Sequence, residues 1–356
     1  MERIRVGLDL GFSNIKSISN NGKEVVFNSL AVESSTKVFT SPAFSFNSKE
    51  GFDANSALHS LEVSYDGQDY YVGPYALEQS RNVDSLLTSE RVGTKQEKIL
   101  GLTAIGLLST AQNVTVDALM LGLPVTEFSL AEKLKKTFSG EHKIVLRNTT
   151  TGKEIEKNIV INKVNVMQQG VAVLYAEMFN LDGSINNTKT TKLKAKVGTI
   201  EIGFRTTDLV VTKDLRFINP LSGTLELGVS NVYEHIKSYL KSKYNLQKNL
   251  SDIEEYVKQG YIFLDGQQIN LKHEINSIIK IIVNQIENNI KTMWRDELRE
   301  FSVIYLAGGG SILFENELKK RFPNSVMVES AQMANAKGYL ANLNFLLNKE
   351  KYLKMG

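Results

Sequence analysis

Three short segments combine an acid or an apolar strand end with glycine and hydroxyl or amide side chains, a combination suited to holding phosphate. The first is Leu8-Asp9-Leu10-Gly11-Phe12-Ser13-Asn14-Ile15-Lys16. An Asp at a strand end, a glycine-bearing turn and a Lys seven residues on can build a phosphate cradle. Backbone N–H groups and the side chains of Ser13 and Asn14 would face phosphate oxygens, Lys16 would neutralise charge, and Asp9 would hold a hydrated Mg²⁺. The G-x-x-x-x-G-K-[ST] spacing of the Walker loop is missing. Taken alone, the same residues also make an ordinary hairpin with glycine at its turn. The second segment, Glu201-Ile202-Gly203-Phe204-Arg205-Thr206-Thr207-Asp208, repeats the theme between two further strands and could grip the same phosphates from the other side. By itself it is also a Thr-rich β-turn. The third, Gly308-Gly309-Gly310-Ser311, follows an apolar strand and precedes a helix, where bare backbone admits a flat ligand such as a base and ribose.

Two further segments support these. In Val166-Met167-Gln168-Gln169-Gly170-Val171 the neutral amide of Gln169, near a helix start, can orient a water without taking its proton; it is equally a solvated helix-end residue. Asn335-Ala336-Lys337-Gly338-Tyr339 carries small residues suited to close helix packing.

These segments need strands and helices to hold them. Arg3–Leu10, Ile15–Ser19 and Lys23–Leu30 read as strands, the last two joined through Asn21-Gly22. Residues 31–92 are polar and irregular and read as an inserted small subdomain with strands at Leu61–Tyr65 and Tyr70–Val72. A helix over Lys95–Ala111 and a strand over Asp117–Leu123 follow. Ser129–Phe138 reads as a helix capped by Ser129 with Glu132 completing a capping box. Lys143–Arg147 and Asn158–Asn162 form a hairpin through Thr151-Gly152, and Gln169–Phe179 is helical. Lys196–Gly203, Thr207–Thr212 and Arg216–Asn219 then repeat the strand series that opens the chain. This points to a duplicated α/β unit. The second half adds a helix over Asn231–Tyr244, a polar segment, and a long helix over Ile275–Leu298 with an apolar stripe at Ile275, Ile279, Ile282, Ile286 and Ile290. A strand at Ser302–Leu306 and a last helix from about Gln332 complete it.

Composition narrows the chemistry. The 356 residues are 42% hydrophobic and 23% charged, with a net charge of +3, which excludes a polyelectrolyte that coats nucleic acid or membrane. No cysteine is present, so thiol catalysis, disulfides and zinc–thiolate sites are excluded, and four scattered histidines speak against a His-rich metal centre. No run approaches the roughly 18 apolar residues of a membrane span. The N-terminus enters a strand directly, and the expected location is cytoplasmic.

Together, in this order, the five segments resemble the actin-like ATPase superfamily, which includes actin, sugar kinases and the heat-shock chaperone ATPase. The resemblance runs from Asp9 to Tyr339. It implies an α/β, duplicated actin-like (ribonuclease-H-like) fold with two domains around a nucleotide cleft. The first domain would span 1–165, with a small subdomain inserted at about 31–94 and the C-terminal helix 332–356 returning to it. The second would span 166–331, with a small subdomain at about 225–298. By position, Asp9, Gly11, Ser13, Asn14 and Lys16 match the first phosphate loop. Gly203, Arg205, Thr206, Thr207 and Asp208 match the second, and Gly308, Gly309, Gly310 and Ser311 match the adenosine loop. Gln169 falls where actins orient the attacking water, with Tyr175 six residues later, and Asp208 is a second candidate for that role. Ala336 and Gly338 match the second connecting helix. The family opens its second phosphate loop with Asp, and this chain has Glu201, whose extra methylene displaces the carboxylate by about one C–C bond. Glu201 therefore joins Asp9 as a metal candidate through a rearranged or water-mediated shell, a departure compatible with slow hydrolysis.

Among such proteins the chain is most similar to the plasmid-segregation actins. The resemblance implies a filament-forming ATPase using ATP or GTP with Mg²⁺, assembling with itself and moving plasmid DNA through a DNA-bound adaptor protein. Neither direct nucleic-acid binding nor membrane binding is expected. The alternatives are a monomeric actin-fold kinase of a small molecule and a slow, nucleotide-gated binding module.

Overall fold

The computed structural model describes residues 2–34, 57–80, 91–186, 195–214 and 216–355. Part of the inserted segment expected at 31–94 therefore lies outside the described residues. The first half begins with β1 (Glu2–Leu10), β2 (Asn14–Ser19), β3 (Glu24–Asn28) and β4 (Ala31–Glu33). Next come β5 (Leu61–Tyr65), β6 (Gln68–Val72), α1 (Pro74–Gln79), α2 (Lys95–Leu107) and β7 (Asn113–Leu123). The half closes with α3 (Ala131–Phe138), β8 (Gly140–Asn148), β9 (Glu154–Ile161) and β10 (Val164–Gln168). Its ten strands make one sheet in the order β3-β2-β1-β7-β9-β8-β5-β6-β4, with β10 alongside β7.

Helix α4 (Val171–Met178) leads into the second half. There β11 (Lys196–Ile202), β12 (Thr207–Lys213), β13 (Arg216–Phe217) and β14 (Gly223–Leu225) precede α5 (Val229–Tyr244) and α6 (Leu250–Gln259). A hairpin of β15 (Tyr261–Leu264) and β16 (Gln267–Asn270) leads to α7 (Lys272–Trp294). The chain ends with β17 (Val303–Ala307), α8 (Gly309–Arg321), β18 (Ser325–Met327) and α9 (Ala334–Met355). The second sheet runs β13-β12-β11-β17-β18, with β14 on β12.

The two sheets repeat one plan. In the first, β1 pairs antiparallel with β2 and parallel with β7; in the second, β11 pairs antiparallel with β12 and parallel with β17. Asp9 lies directly opposite Lys16, and Glu201 directly opposite Asp208. The two hairpins thus have the same length and place one charged pair each at the mouth of a four-residue turn. Strands β1, β7, β11 and β17 are buried along most of their length, as central strands covered on both faces must be.

Helices α4 and α9 lie between the sheets. Ala172, Tyr339 and Leu343 pack on Ala118 and Met120 of the first sheet. Val173, Leu174, Met178 and Ala341 pack on Val197, Val303 and Tyr305 of the second. The outer faces are covered by α2 on the first sheet and by α5, α7 and α8 on the second. The C-terminal helix is therefore core, and its small residues serve the close packing expected of them.

Several local expectations change. Helix α2 stops at Leu107 rather than Ala111, and β7 starts four residues before Asp117, because Asn113–Val116 alternates correctly to pair with β9. The Ser129–Glu132 capping box does not form. A 3-10 turn over Val125–Leu130 runs straight into α3, so no free helix end remains to be capped, and Glu132 pairs with Lys135 at 2.7 Å. Residues Val164–Gln168 form β10 before the expected helix. The polar segment after Tyr244 holds α6 and the β15–β16 hairpin. Helix α7 ends at Trp294, short of Leu298, where Arg295 takes a positive φ of 43°.

Candidate functional site

Both hairpin turns open into one cavity of about 570 Å³. The first hairpin contributes Asp9, Gly11, Phe12, Ser13, Asn14 and Lys16, and the second Glu201, Gly203, Arg205, Thr206 and Asp208. Gln169 enters from the β10–α4 junction, and Gly309 and Gly310 from the start of α8. Three predicted residues are held differently. The Thr207 hydroxyl donates to Leu227 O at 2.7 Å and the Ser311 hydroxyl to Ala307 O, so both side chains are spent on backbone. Gly308 has φ +82°, and an added Cβ would sit 2.8 Å from the Ile202 carbonyl carbon. It shapes the turn between β17 and α8 without lining the cavity.

The buried floor is acidic with one ammonium. Lys16 Nζ donates to Asp9 Oδ2 at 2.9 Å, and Asp9 is 3% exposed. Gln169 Nε2 lies 3.5 Å from Asp9 Oδ1, so its amide can reach from Asp9 into the cavity. Asn335 of α9 donates to Glu201 Oε1 and anchors the longer side chain that this chain has in place of Asp. Glu201 Oε2 is buried without a partner. Burial, with Asp208 and Asp9 nearby, raises the Glu201 pKa; burial likewise raises that of Asp208, against a hydrogen bond from Thr224. A carboxylate oxygen left unpaired beside other carboxylates fits a divalent cation. Among the described residues no three acidic or histidine side chains converge to ligate an ion directly. A cation here would be reached by Asp9 and Glu201 through water and by the ligand's own oxygens.

Sequence reasoning missed part of the wall. Tyr233 of α5, Glu254, Val257 and Lys258 of α6, and Ile312 and Leu313 of α8 form an amphipathic lobe beside the triple glycine. Helix α6 carried a readable signal, since Asn249 N–H donates to Asp252 and Gly260 closes the helix with φ +77°. On the first-half side, Arg91, Glu97, Pro124 and Glu127 also line the cavity. Arg91 sits in the irregular segment, where no periodicity marks it.

Glu97 gives a pH-dependent readout of this wall. Its carboxylate accepts Gly93 N–H at 2.6 Å and is 4% exposed, and burial pushes its pKa up to about 7. The folded chain then keeps a proton that the unfolded chain releases between about pH 4.5 and 7. Stability falls as pH rises through that window and levels off above it. The full effect is on the order of 3 kcal/mol. Glu97→Gln keeps the acceptor and is expected to flatten the melting temperature between pH 5 and 7.5; an unchanged slope would assign it to other groups.

Residues 7–171 match the family described as the N-terminal domain of actin-like proteins, and residues 199–320 match the archaeal actin homologue MreB-like C-terminal family. An archaeal actin homolog from Thermoplasma acidophilum is 23% identical over 346 residues, covering 94% of this chain and 97% of that protein. The structure of a 15-stranded ParM filament from Clostridium botulinum is similar at 25% identity and a TM-score of 0.79, covering 97% of this chain and 99% of that one. An archaeal actin homolog in complex with ADP shares the fold at 18% identity and a TM-score of 0.72, covering 96% and 99% of the two chains.

Proposed function

The chain belongs to the actin-like superfamily, and from that premise we propose that it is a filament-forming ATPase whose cleft binds a nucleoside triphosphate with Mg²⁺. The observation that carries this reading is the pair of matched hairpins, one from each half, presenting their turns to one cavity. A ligand held by both turns is a ligand that draws the halves together, and polymer contacts that need the closed form would then depend on it.

The two domains are read as 1–165 with 332–356, and 166–331. The phosphate chain lies between the turns, with backbone N–H groups of Gly11, Ser13 and Thr206 facing its oxygens and Lys16 supplying positive charge. Bound Mg²⁺, held through Asp9 and Glu201, would neutralise phosphate charge. Gln169, tied to Asp9, and Asp208 orient the attacking water. The lobe of Tyr233, Val257 and Ile312 takes the base, with Gly309 and Gly310 beneath it. An archaeal relative in complex with ADP and a clostridial one in a filament support this reading. A role in moving plasmid DNA through a DNA-bound adaptor, in the cytoplasm, is the extension that the resemblance to plasmid-segregation actins favours.

The test is calorimetric titration with ATP, GTP and ADP, in Mg²⁺ and in EDTA, with the same samples then centrifuged. One site per chain and a pellet with triphosphate are expected. Binding with soluble protein at every concentration would favour a monomeric kinase, to be pursued with small-molecule acceptors.

A further inference from the structure

The two hairpins share a Gly-Phe pair whose rings both line the cavity but take different partners. Phe204, in the second turn, packs against Tyr233 with ring centroids 6.0 Å apart and joins the second core. Phe12, in the first turn, is half-buried in the cavity wall, with two arginines over its ring. The Arg91 guanidinium carbon is 5.6 Å from its ring centroid and that of Arg205 is 5.0 Å. Arg91 is fixed to the first half, donating to Gly11 O at 3.0 Å and to Ser29 Oγ at 2.8 Å. Arg205 comes from the second hairpin turn. The ring therefore holds a guanidinium that belongs to the opposite half of the molecule.

We propose that Phe12 is a positioning residue for Arg205, holding the guanidinium toward the phosphate chain of a ligand lying between the two turns. The inference rests on the nucleoside-phosphate reading of the cleft. A guanidinium meets an aromatic ring through its flat face and meets phosphate through its N–H edge, so the two contacts use different parts of one group. Held in advance, the side chain loses less freedom when phosphate arrives, and its charge-assisted bonds count more fully toward binding. Arg91 braces the arrangement by donating to the Gly11 carbonyl next to the ring. Phe12 itself need not touch the ligand.

The experiment is a double-mutant cycle on the full chain with Phe12→Leu, Arg205→Gln and both, read as calorimetric affinity for Mg·ATP and for adenosine. Leucine keeps apolar bulk and removes the ring's attraction for a cation. Phe12→Leu is expected to weaken ATP by about 5- to 10-fold, the range of a partly shielded cation–ring contact, and to leave adenosine within about 2-fold. In the Arg205→Gln background it should have no further effect. Phe12→Trp, which keeps a π face, should restore ATP affinity, and this variant decides the matter if the leucine variant melts early. Equal losses for ATP and adenosine, or the same loss with and without Arg205, would overturn the proposal and leave Phe12 a packing residue. Wild-type protein that binds neither ligand would remove the cleft reading as well; wild-type binding with an inert Phe12→Leu would remove this inference alone.

Discussion

Asp9→Ala is expected to lower Mg·ATP affinity by about 100-fold while leaving ATP binding in EDTA intact or stronger. Asp9 is buried, bonded to Lys16 at 2.9 Å and within 3.5 Å of the Gln169 amide. Truncating one partner of a shielded charge pair costs about 2–5 kcal/mol where the pair matters for binding, and every 1.4 kcal/mol is about tenfold. The sign in EDTA separates two roles. An Asp that only braces the turn would, when lost, weaken ATP equally with and without Mg²⁺. An Asp that holds the cation repels bare phosphate, so its removal frees Lys16 for that phosphate and collapses only the Mg²⁺-dependent part. Calorimetry in both buffers gives the ratio directly. A ratio that stays at the wild-type value would take Asp9 out of the cation shell.

Gly338→Ala is expected to cost about 3 kcal/mol of stability, near the upper end of overpacking effects, and several degrees in melting temperature. Gly338 lies where α9 crosses α4, and a Cβ there would be driven into the Ala172 carbonyl, 2.5 Å from its carbon. Backbone stands on both sides of this contact, so no side chain can swing away to make room. The same crossing sits between the two sheets, so separating the helices strains both cores. Gly309→Ala is the contrast, because a Cβ there meets only the Gln332 side chain at 3.8 Å. Its melting temperature should stay close to wild type, although it faces the cavity. Equal melting temperatures for the two variants would mean that the crossing relaxes freely.

The hairpin half of the site was legible because it is local. An eight-residue hairpin puts its end residues opposite each other whatever surrounds it, so Asp9 with Lys16 and Glu201 with Asp208 could be read from spacing alone. The repeat of that hairpin announced the duplicated fold. Hydroxyls were harder: Thr207 and Ser311 have the right type and place, but nearby carbonyls of Leu227 and Ala307 claim them. The Glu201–Asn335 contact joins residues 134 apart in the chain, and nothing local marks Asn335 as more than a packing residue. The lobe beside the triple glycine is assembled from three separate helices, one of them in a segment that looked merely polar. Strand β10 was hidden because its five residues are all only half-buried, which blurs the alternation that reveals a strand.

The most direct test follows light scattering and released phosphate together after ATP is added to purified protein in Mg²⁺. The account predicts scattering that rises with ATP, does not rise with ADP or in EDTA, and decays as phosphate accumulates. Scattering that ignores nucleotide, or phosphate released with no polymer at any protein concentration, would contradict it.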